Sequence, residues 1–406
     1  MRALRGVSLR NAGVVLAVTL LALASGRPLQ AQSTTDLDAQ VADLFERSCA
    51  RAGCHAGPVP MMNLDLSRDQ HYAALVGEAS TENPQIKRVE PGRPDQSYII
   101  MKLKGEPGIV GMQMPFTGDK LTPDEIGLIE QWIAGMGGVD ESRKAAAPAA
   151  EPYPFYGWKV MNLPTSRTLN AGNMLFMIGH RFNPRISDGY SAFFGLDGSA
   201  IIYLSLGYAI TDNLLVALAR SNSADDVELS ARYGLMRQGG ARNWPIGASL
   251  QTTANWITQT NEGESSFEAE RLKFTAQLSL TRSIMDRIGL AVVPGVLVNQ
   301  NEIETDEPLL VTVGLGARWR FAPKLSIIGE WVPIVSGYNR SLIFGNDIRY
   351  DSWGGGLEIS TAGHVFQIVV ANAVGLTTDQ YLRGGDLGIE NGDIRLGFNI
   401  FRILTP

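Results

Sequence analysis

Two cysteines and a histidine crowd into one short stretch, Cys49-Ala50-Arg51-Ala52-Gly53-Cys54-His55, and the chain has no other cysteine. Two thiols can each bond a porphyrin vinyl group, and an imidazole directly after the second can bind the iron. The usual attachment motif has two residues between the cysteines, whereas four stand here. The extra pair must loop out for both sulfurs to reach the ring edge. His55 would be the proximal ligand. A thioether sulfur is the common second axial ligand, and it raises the potential. Gly111-Met112-Gln113-Met114-Pro115-Phe116 offers two such sulfurs. Met114 is preferred, because the proline after it stiffens the loop. Met112 is the reserve and His71 a third candidate. A disulfide between Cys49 and Cys54 is the alternative reading, since an oxidising compartment allows one. It would close too short a loop to stabilise much, and it leaves His55 unexplained. Zinc needs four ligands, and only Cys49, Cys54 and His55 cluster.

Helices must position these groups. Leu37, Val41, Leu44 and Phe45 share one helical face just ahead of the cysteine pair. Ser67 can cap a second helix through about Val76, and Asp95 a third. Thr122-Pro123-Asp124-Glu125 is a strong helix start: Thr122 caps, proline takes the first turn and Glu125 closes a capping box. Ile126, Ile129, Trp132 and Ile133 then form the buried stripe. Residues 32–136 read as a small all-α haem domain. Residues 137–154 read as an Ala/Pro-rich linker. Ahead of the domain, Arg2, Arg5 and Arg10 precede the apolar run from Ala12 to Ala24, and Leu29-Gln30-Ala31 ends in a small residue. Residues 1–31 are therefore expected to be a secretory signal peptide, and export is compatible with covalent haem.

Residues 41–136 resemble the planctomycete-type single-haem cytochrome c domains. The matching stretches are VADLFERSCARAGCHAG, LDLS, YAALVG, VEPGRPDQSYIIMKL and MPF-TGDKLTPDEIGLIEQWIAGMG. Such domains often show the wider cysteine spacing. The resemblance implies covalent haem c, one per chain, on Cys49 and Cys54, with His55 and a methionine of the Met-Pro pair as iron ligands.

From about Arg167 the apolar period changes from 3.6 to 2. Leu309, Val311, Val313, Leu315, Ala317, Trp319 and Phe321 alternate with Thr312, Gly314, Gly316, Arg318 and Arg320. Leu272, Phe274, Ala276, Leu278 and Leu280 alternate with Lys273, Thr275, Gln277, Ser279 and Thr281. About twelve such segments, each near ten residues, suit tilted membrane strands. The expected fold over residues 155–406 is therefore an antiparallel β-barrel of outer-membrane type. A soluble β-sandwich also alternates, but its polar face would not carry arginines and lysines flanked by glycines. An even strand number puts both barrel ends on one side, the periplasmic side in outer-membrane barrels. The haem domain is then expected in the periplasm.

The second half also resembles a family of uncharacterised bacterial outer-membrane-type barrels. The segments carrying this are His180-Arg181-Phe182, FFGLDGSA, LSLGYAITDNLLVALARS, GHVFQIVVANAVG and GDIRLGFNIFR. The chain departs from many outer-membrane barrels at its end, where Phe401 is followed by Arg402-Ile403-Leu404-Thr405-Pro406. A net charge of -6 gives no sign of a nucleic-acid partner.

The expected function is electron transfer without an enzymatic activity of its own: a periplasmic haem c domain tethered to an outer-membrane barrel. Its partners would be a periplasmic or outer-membrane redox protein and outer-membrane lipid. The alternative is a transport or receptor barrel whose haem domain serves as redox sensor or plug.

Overall fold

The protein is described by a computed structural model. It describes residues 34–147 and 154–404, less residues 52–53, 57–59, 117, 240–242, 261–264, 286, 300–308, 323, 338–349, 362 and 390–391. The expected signal peptide lies outside the described residues. The chain divides into two compact units, Met1–Phe45 with Leu75–Asp140, and Glu46–Ala74 with Glu141–Pro406.

Five helices are described ahead of the barrel: α1 Thr34–Ser48, α2 His71–Leu75, α3 Tyr98–Lys104, α4 Pro123–Ala134 and α5 Glu141–Ala146. In the first unit, Val41, Leu44 and Phe45 are fully buried, as are Ile129 and Ile133 of α4. Phe45 meets Trp132 edge-on at 6.4 Å, and the Trp132 indole donates to Asp38 at 2.9 Å. The expected capping box forms: Glu125 N–H donates to Thr122 Oγ1 at 3.3 Å, and Thr122 N–H to the Glu125 carboxylate at 2.8 Å. Thr122→Ala is expected to cost about 1 kcal/mol, read as a lower urea midpoint at unchanged slope.

Two helix starts differ from expectation. Ser67 accepts the N–H groups of Gln70 and His71 with its backbone carbonyl, so α2 begins one turn later. Asp95 caps nothing, because Pro94–Gln96 is itself a 3-10 turn and the residue before α3 is Ser97. The Ser97 hydroxyl takes the Glu90 N–H at 2.9 Å. Within the expected linker, α5 forms, and Arg143 lies over the Tyr72 ring at 3.9 Å.

The second half closes into a barrel. Its strands are β1 Met174–Phe182, β2 Ala200–Thr211, β3 Leu214–Ser221, β4 Asp226–Met236, β5 Gly247–Ile257 and β6 Leu272–Ile284. They continue with β7 Ile288–Val298, β8 Leu309–Ala322, β9 Leu325–Val332, β10 Ser352–Ser360, β11 His364–Ala371 and β12 Arg395–Leu404. Ile334–Ser336 extends β9 past Pro333, which cannot donate to the ladder. Each strand pairs antiparallel with its sequence neighbours, and β12 pairs with β1 from Met174↔Leu404 to Arg181↔Gly397. This is a closed twelve-stranded antiparallel barrel, which leaves no sheet edge.

Alternation sorts the side chains as expected. Leu204, Leu206, Leu218, Leu229, Leu315 and Trp319 are exposed on the outside, while Arg318, Lys273, Thr275, Gln277, Ser279 and Thr281 are buried inside. Strand ends differ sharply. One end joins strands through residues 212–213, 237–246, 285–287, 323–324 and 361–363; the other through 183–199, 222–225, 258–271, 299–308, 337–351 and 372–394.

The first strand starts at Met174, later than the change of period at about Arg167 implied. The chain between 154 and 168 is instead folded inside the barrel. Lys159 and Pro164 pair antiparallel, and Val160 N–H donates to Leu163 carbonyl at 2.8 Å, making a tight hairpin. Phe155, Tyr156, Trp158, Val160, Met161 and Leu163 are all buried. Trp158 is thus a lumen residue. A second segment, 372–389, also turns inward and carries the short helix α6 Thr378–Leu382, every residue of which is buried.

Candidate functional site

α1 delivers Cys49 one residue past its last turn. The chain then folds back on itself: Cys54 N–H donates to Arg51 carbonyl at 2.9 Å, and His55 N–H to Cys49 carbonyl at 3.2 Å. Met61 N–H bonds Cys54 carbonyl at 2.7 Å and Leu66 N–H bonds His55 carbonyl at 2.7 Å. Cys49, Cys54 and His55 are therefore brought into one loop by backbone bonds. Both thiols are unpaired, so the disulfide alternative is not formed in this structure.

Burial, with a smaller contribution from the neighbouring Cys54 charge, pushes the Cys49 thiol up to about 12. Burial likewise raises Cys54, against the lowering effect of Arg51. Both sulfurs are thus protonated thiols near neutrality rather than metal-ready thiolates. Among the described residues no group of three or more His, Cys, Asp or Glu could hold a metal ion by itself.

The His55 ring is oriented. Its Nδ1 donates to the Leu64 carbonyl at 3.2 Å. A carbonyl can only accept, so Nδ1 carries a proton, and in the neutral ring Nε2 is the nitrogen with the lone pair. This is the arrangement a metal-ligating histidine needs, with the remote nitrogen fixing ring and tautomer. Two thiols and one oriented imidazole fit haem c as a donor set.

Met112 and Met114 belong to the other compact unit. Met112 is 59% exposed, whereas Met114 is half-buried. Their loop is clamped to α3. Met114 N–H donates to Lys102 carbonyl at 3.0 Å, and Gln113 Nε2 to Leu103 carbonyl at 2.7 Å. The Lys102 ammonium reaches Val110 carbonyl at 2.6 Å and pairs with Glu82 at 2.9 Å. His71 is buried, with Nδ1 donating to Arg68 carbonyl at 2.7 Å.

The lumen holds a second constellation, which sequence reasoning missed. The Glu330 carboxylate on β9 accepts three consecutive N–H groups at the hairpin tip: Met161 at 3.0 Å, Asn162 at 2.9 Å and Leu163 at 2.9 Å. Arg181 on β1 donates to Asn162 Oδ1 at 3.2 Å, and Asn399 on β12 donates to Met161 carbonyl at 3.0 Å. Gln367 on β11 takes Val160 carbonyl at 2.8 Å, and Arg232 on β4 takes Trp158 carbonyl at 2.9 Å. Wall glycines make room. A Cβ at Gly316 would stand 2.9 Å from Val160, and Gly314 faces Leu163.

The second segment is seated in the same way. Thr378 N–H donates to Glu228 at 2.6 Å, and Tyr381 Oη to Gln277 at 2.9 Å. Asp379 and Arg383 form a buried pair at 3.0 Å. Tyr381 and Leu382 share one apolar cluster with Phe155, Val160 and Leu163 of the hairpin. The one available signal was the phase of Glu330 and Arg181, which put charge on the inward face of strands that also turn Leu175, Met177, Ile328 and Val332 inward.

No curated protein matches this chain. Among solved structures, an outer membrane channel from Pseudomonas putida F1 is similar over 59% of this chain and 98% of that one, at 13% identity and a TM-score of 0.38. The Acinetobacter baumannii outer membrane protein Omp33 is similar over 59% of this chain and 100% of its own, at 10% identity and a TM-score of 0.29. A family model described as membrane bound beta barrel domain (DUF5777) matches residues 155–404, more than half of the chain. With its closed barrel and lipid-facing apolar band, the chain belongs to this family of membrane-bound β-barrels and resides in the bacterial outer membrane.

Proposed function

We propose that this protein is an exported electron carrier: a single haem c held covalently by Cys49 and Cys54, on a periplasmic domain anchored by the outer-membrane barrel. The observation that carries the reading is the Cys49–His55 loop, with two unpaired thiols and an imidazole whose Nδ1 is held by the Leu64 carbonyl. Bound haem would supply a one-electron couple at iron. His55 would hold the iron through Nε2, and Met114 is the sulfur proposed as its second ligand. Held by both His55 and Met114, the group would supply electron transfer rather than peroxidase or oxygenase chemistry.

The short-turn end of the barrel is the end from which β1 starts and at which β12 stops. Outer-membrane barrels keep short turns in the periplasm, which supports a periplasmic helical domain. The partner would be another redox protein of the envelope. One haem cannot carry electrons across a hydrocarbon core of about 30 Å, so the barrel is read as an anchor. Occupation of the lumen by residues 154–168 and 372–389 favours this over the transport or receptor reading.

The test is a haem stain of the denatured, mature protein, made with a cytochrome c maturation system, beside its pyridine haemochrome spectrum. Absence of retained haem would overturn the proposal. Met114→Ala is expected to convert the ferric haem to high spin, with loss of the weak long-wavelength methionine band and a lower potential. If Met112→Ala does this and Met114→Ala does not, Met112 is the ligand.

A further inference from the structure

The loop between β1 and β2 breaks the pattern of an extracellular loop. Tyr190 is 83% exposed, Phe193 56%, Phe194 52% and Leu196 45%. Phe193 and Phe194 also hold positive φ, 44° and 55°, a conformation that bulky side chains avoid. Exposure of four adjoining apolar side chains on a strained backbone is costly in water and calls for a partner.

The loop is built rather than slack. Arg185 N–H and its guanidinium both bond Asp188, at 2.8 and 3.1 Å, and the guanidinium also pairs with Asp393 at 3.1 Å. Ser187 Oγ donates to Asp393 at 2.6 Å, and Ile186 N–H to Ile394 carbonyl at 2.9 Å. The base of the loop is closed by Asn183 N–H on Ser199 carbonyl at 2.9 Å. This frame ties the loop to the start of β12, next to β1, and fixes the rings in their exposed positions.

The loop springs from two strands whose outward faces meet lipid. Ile202, Leu204, Leu206, Tyr208 and Ile210 form the outward stripe of β2, and it begins six residues after Leu196. Beside it, His180 of β1 stacks on Phe398 at 4.8 Å and meets Phe182 at 4.5 Å. The outward apolar residues of β1 and β2 thus reach the two ends of the loop. Aromatic side chains are favoured where hydrocarbon gives way to headgroups.

We propose that residues 186–196 form a lipid-contacting lip, with Tyr190, Phe193, Phe194 and Leu196 seated in the acyl-chain and glycerol region of the leaflet at the long-loop end. The lip extends the barrel's lipid contact beyond its strands on the β12–β1–β2 side. It does not depend on the haem reading.

The test places p-benzoylphenylalanine at position 193, 194, 197 or 206 of the full chain in phosphatidylcholine vesicles. Adducts after irradiation are read by mass spectrometry. Positions 193 and 194 are expected to give lipid adducts in yields comparable with position 206 on the lipid-facing stripe. Position 197, where exposed Asp197 stands, is expected to lose them. Heat-modifiable migration on gels confirms that each variant is folded. Lipid adducts at 206 but none at 193 and 194 would overturn the proposal. So would adducts to a second copy of the chain, which would make the loop a protein interface.

Discussion

Cys49→Ser combined with Cys54→Ser is expected to abolish the haem that survives denaturation, a complete rather than partial loss. Coordination by His55 and Met114 would not outlast denaturant, so only thioether bonds retain the group on a gel. The chain has no further cysteine to substitute for either. Each single variant keeps one sulfur and is expected to retain haem, with a haemochrome band shifted by the unreacted vinyl group. His55→Ala separates attachment from ligation: it leaves both sulfurs and removes the oriented imidazole, so its ferric spectrum should change. An unchanged spectrum would remove His55 from the iron. The barrel supplies an internal control, because neither cysteine lies in a strand. Heat-modifiable migration should be the same in all these variants, and a variant that loses it has failed to fold. Haem stain persisting in the double variant would mean a link other than these sulfurs, and the attachment proposed for Cys49 and Cys54 would fall with it.

How much was legible depended on how local each signal was. Strand periodicity is local, and the alternating runs read from Leu272 and Leu309 begin where β6 and β8 begin. The inside-outside assignment followed from the same period, so Arg318 was placed in the lumen where it is found, over the Tyr156 ring at 4.1 Å. The Thr122 capping box is likewise a four-residue signal. Ser97 was missed because a proline-led 3-10 turn stands between Asp95 and α3. The lumen hairpin was not legible at all. Its run of Phe155, Tyr156, Trp158, Val160, Met161 and Leu163 has no strand period, since its burial is decided by twelve distant strands. Gly314 and Gly316 looked like small lumen residues, and only the closed barrel shows that Leu163 and Val160 fill the space beside them. At the Cys49–His55 loop, residue types announced the chemistry. The Leu64 carbonyl on Nδ1 could be found only in three dimensions.

Glu330→Ala is expected to destabilise the barrel by several kcal/mol, since hydrogen bonds to a charged group contribute about 1.5–3 kcal/mol each. Three N–H groups at the hairpin tip would lose their acceptor where water cannot replace it, and each orphaned donor costs about 1–3 kcal/mol. The sum overstates the loss, because the tip can relax once freed. Glu330→Gln keeps one acceptor oxygen and should lose less, so the order wild type, Gln, Ala in urea midpoint tests the assignment. The effect on conductance should be smaller than that on stability. Arg232 still holds Trp158, Gln367 still holds Val160, and Ser279 holds Pro164 carbonyl at 2.9 Å. The second segment also remains, with Thr378 on Glu228 and Tyr381 on Gln277. In planar bilayers the wild type is therefore expected to be silent and Glu330→Ala to flicker at most. Steady openings are expected only when residues 155–168 and 372–389 are both removed. Steady openings in the wild type would show that the hairpin leaves its seat unaided. The barrel would then be a channel first, and the anchoring role proposed for it would be wrong.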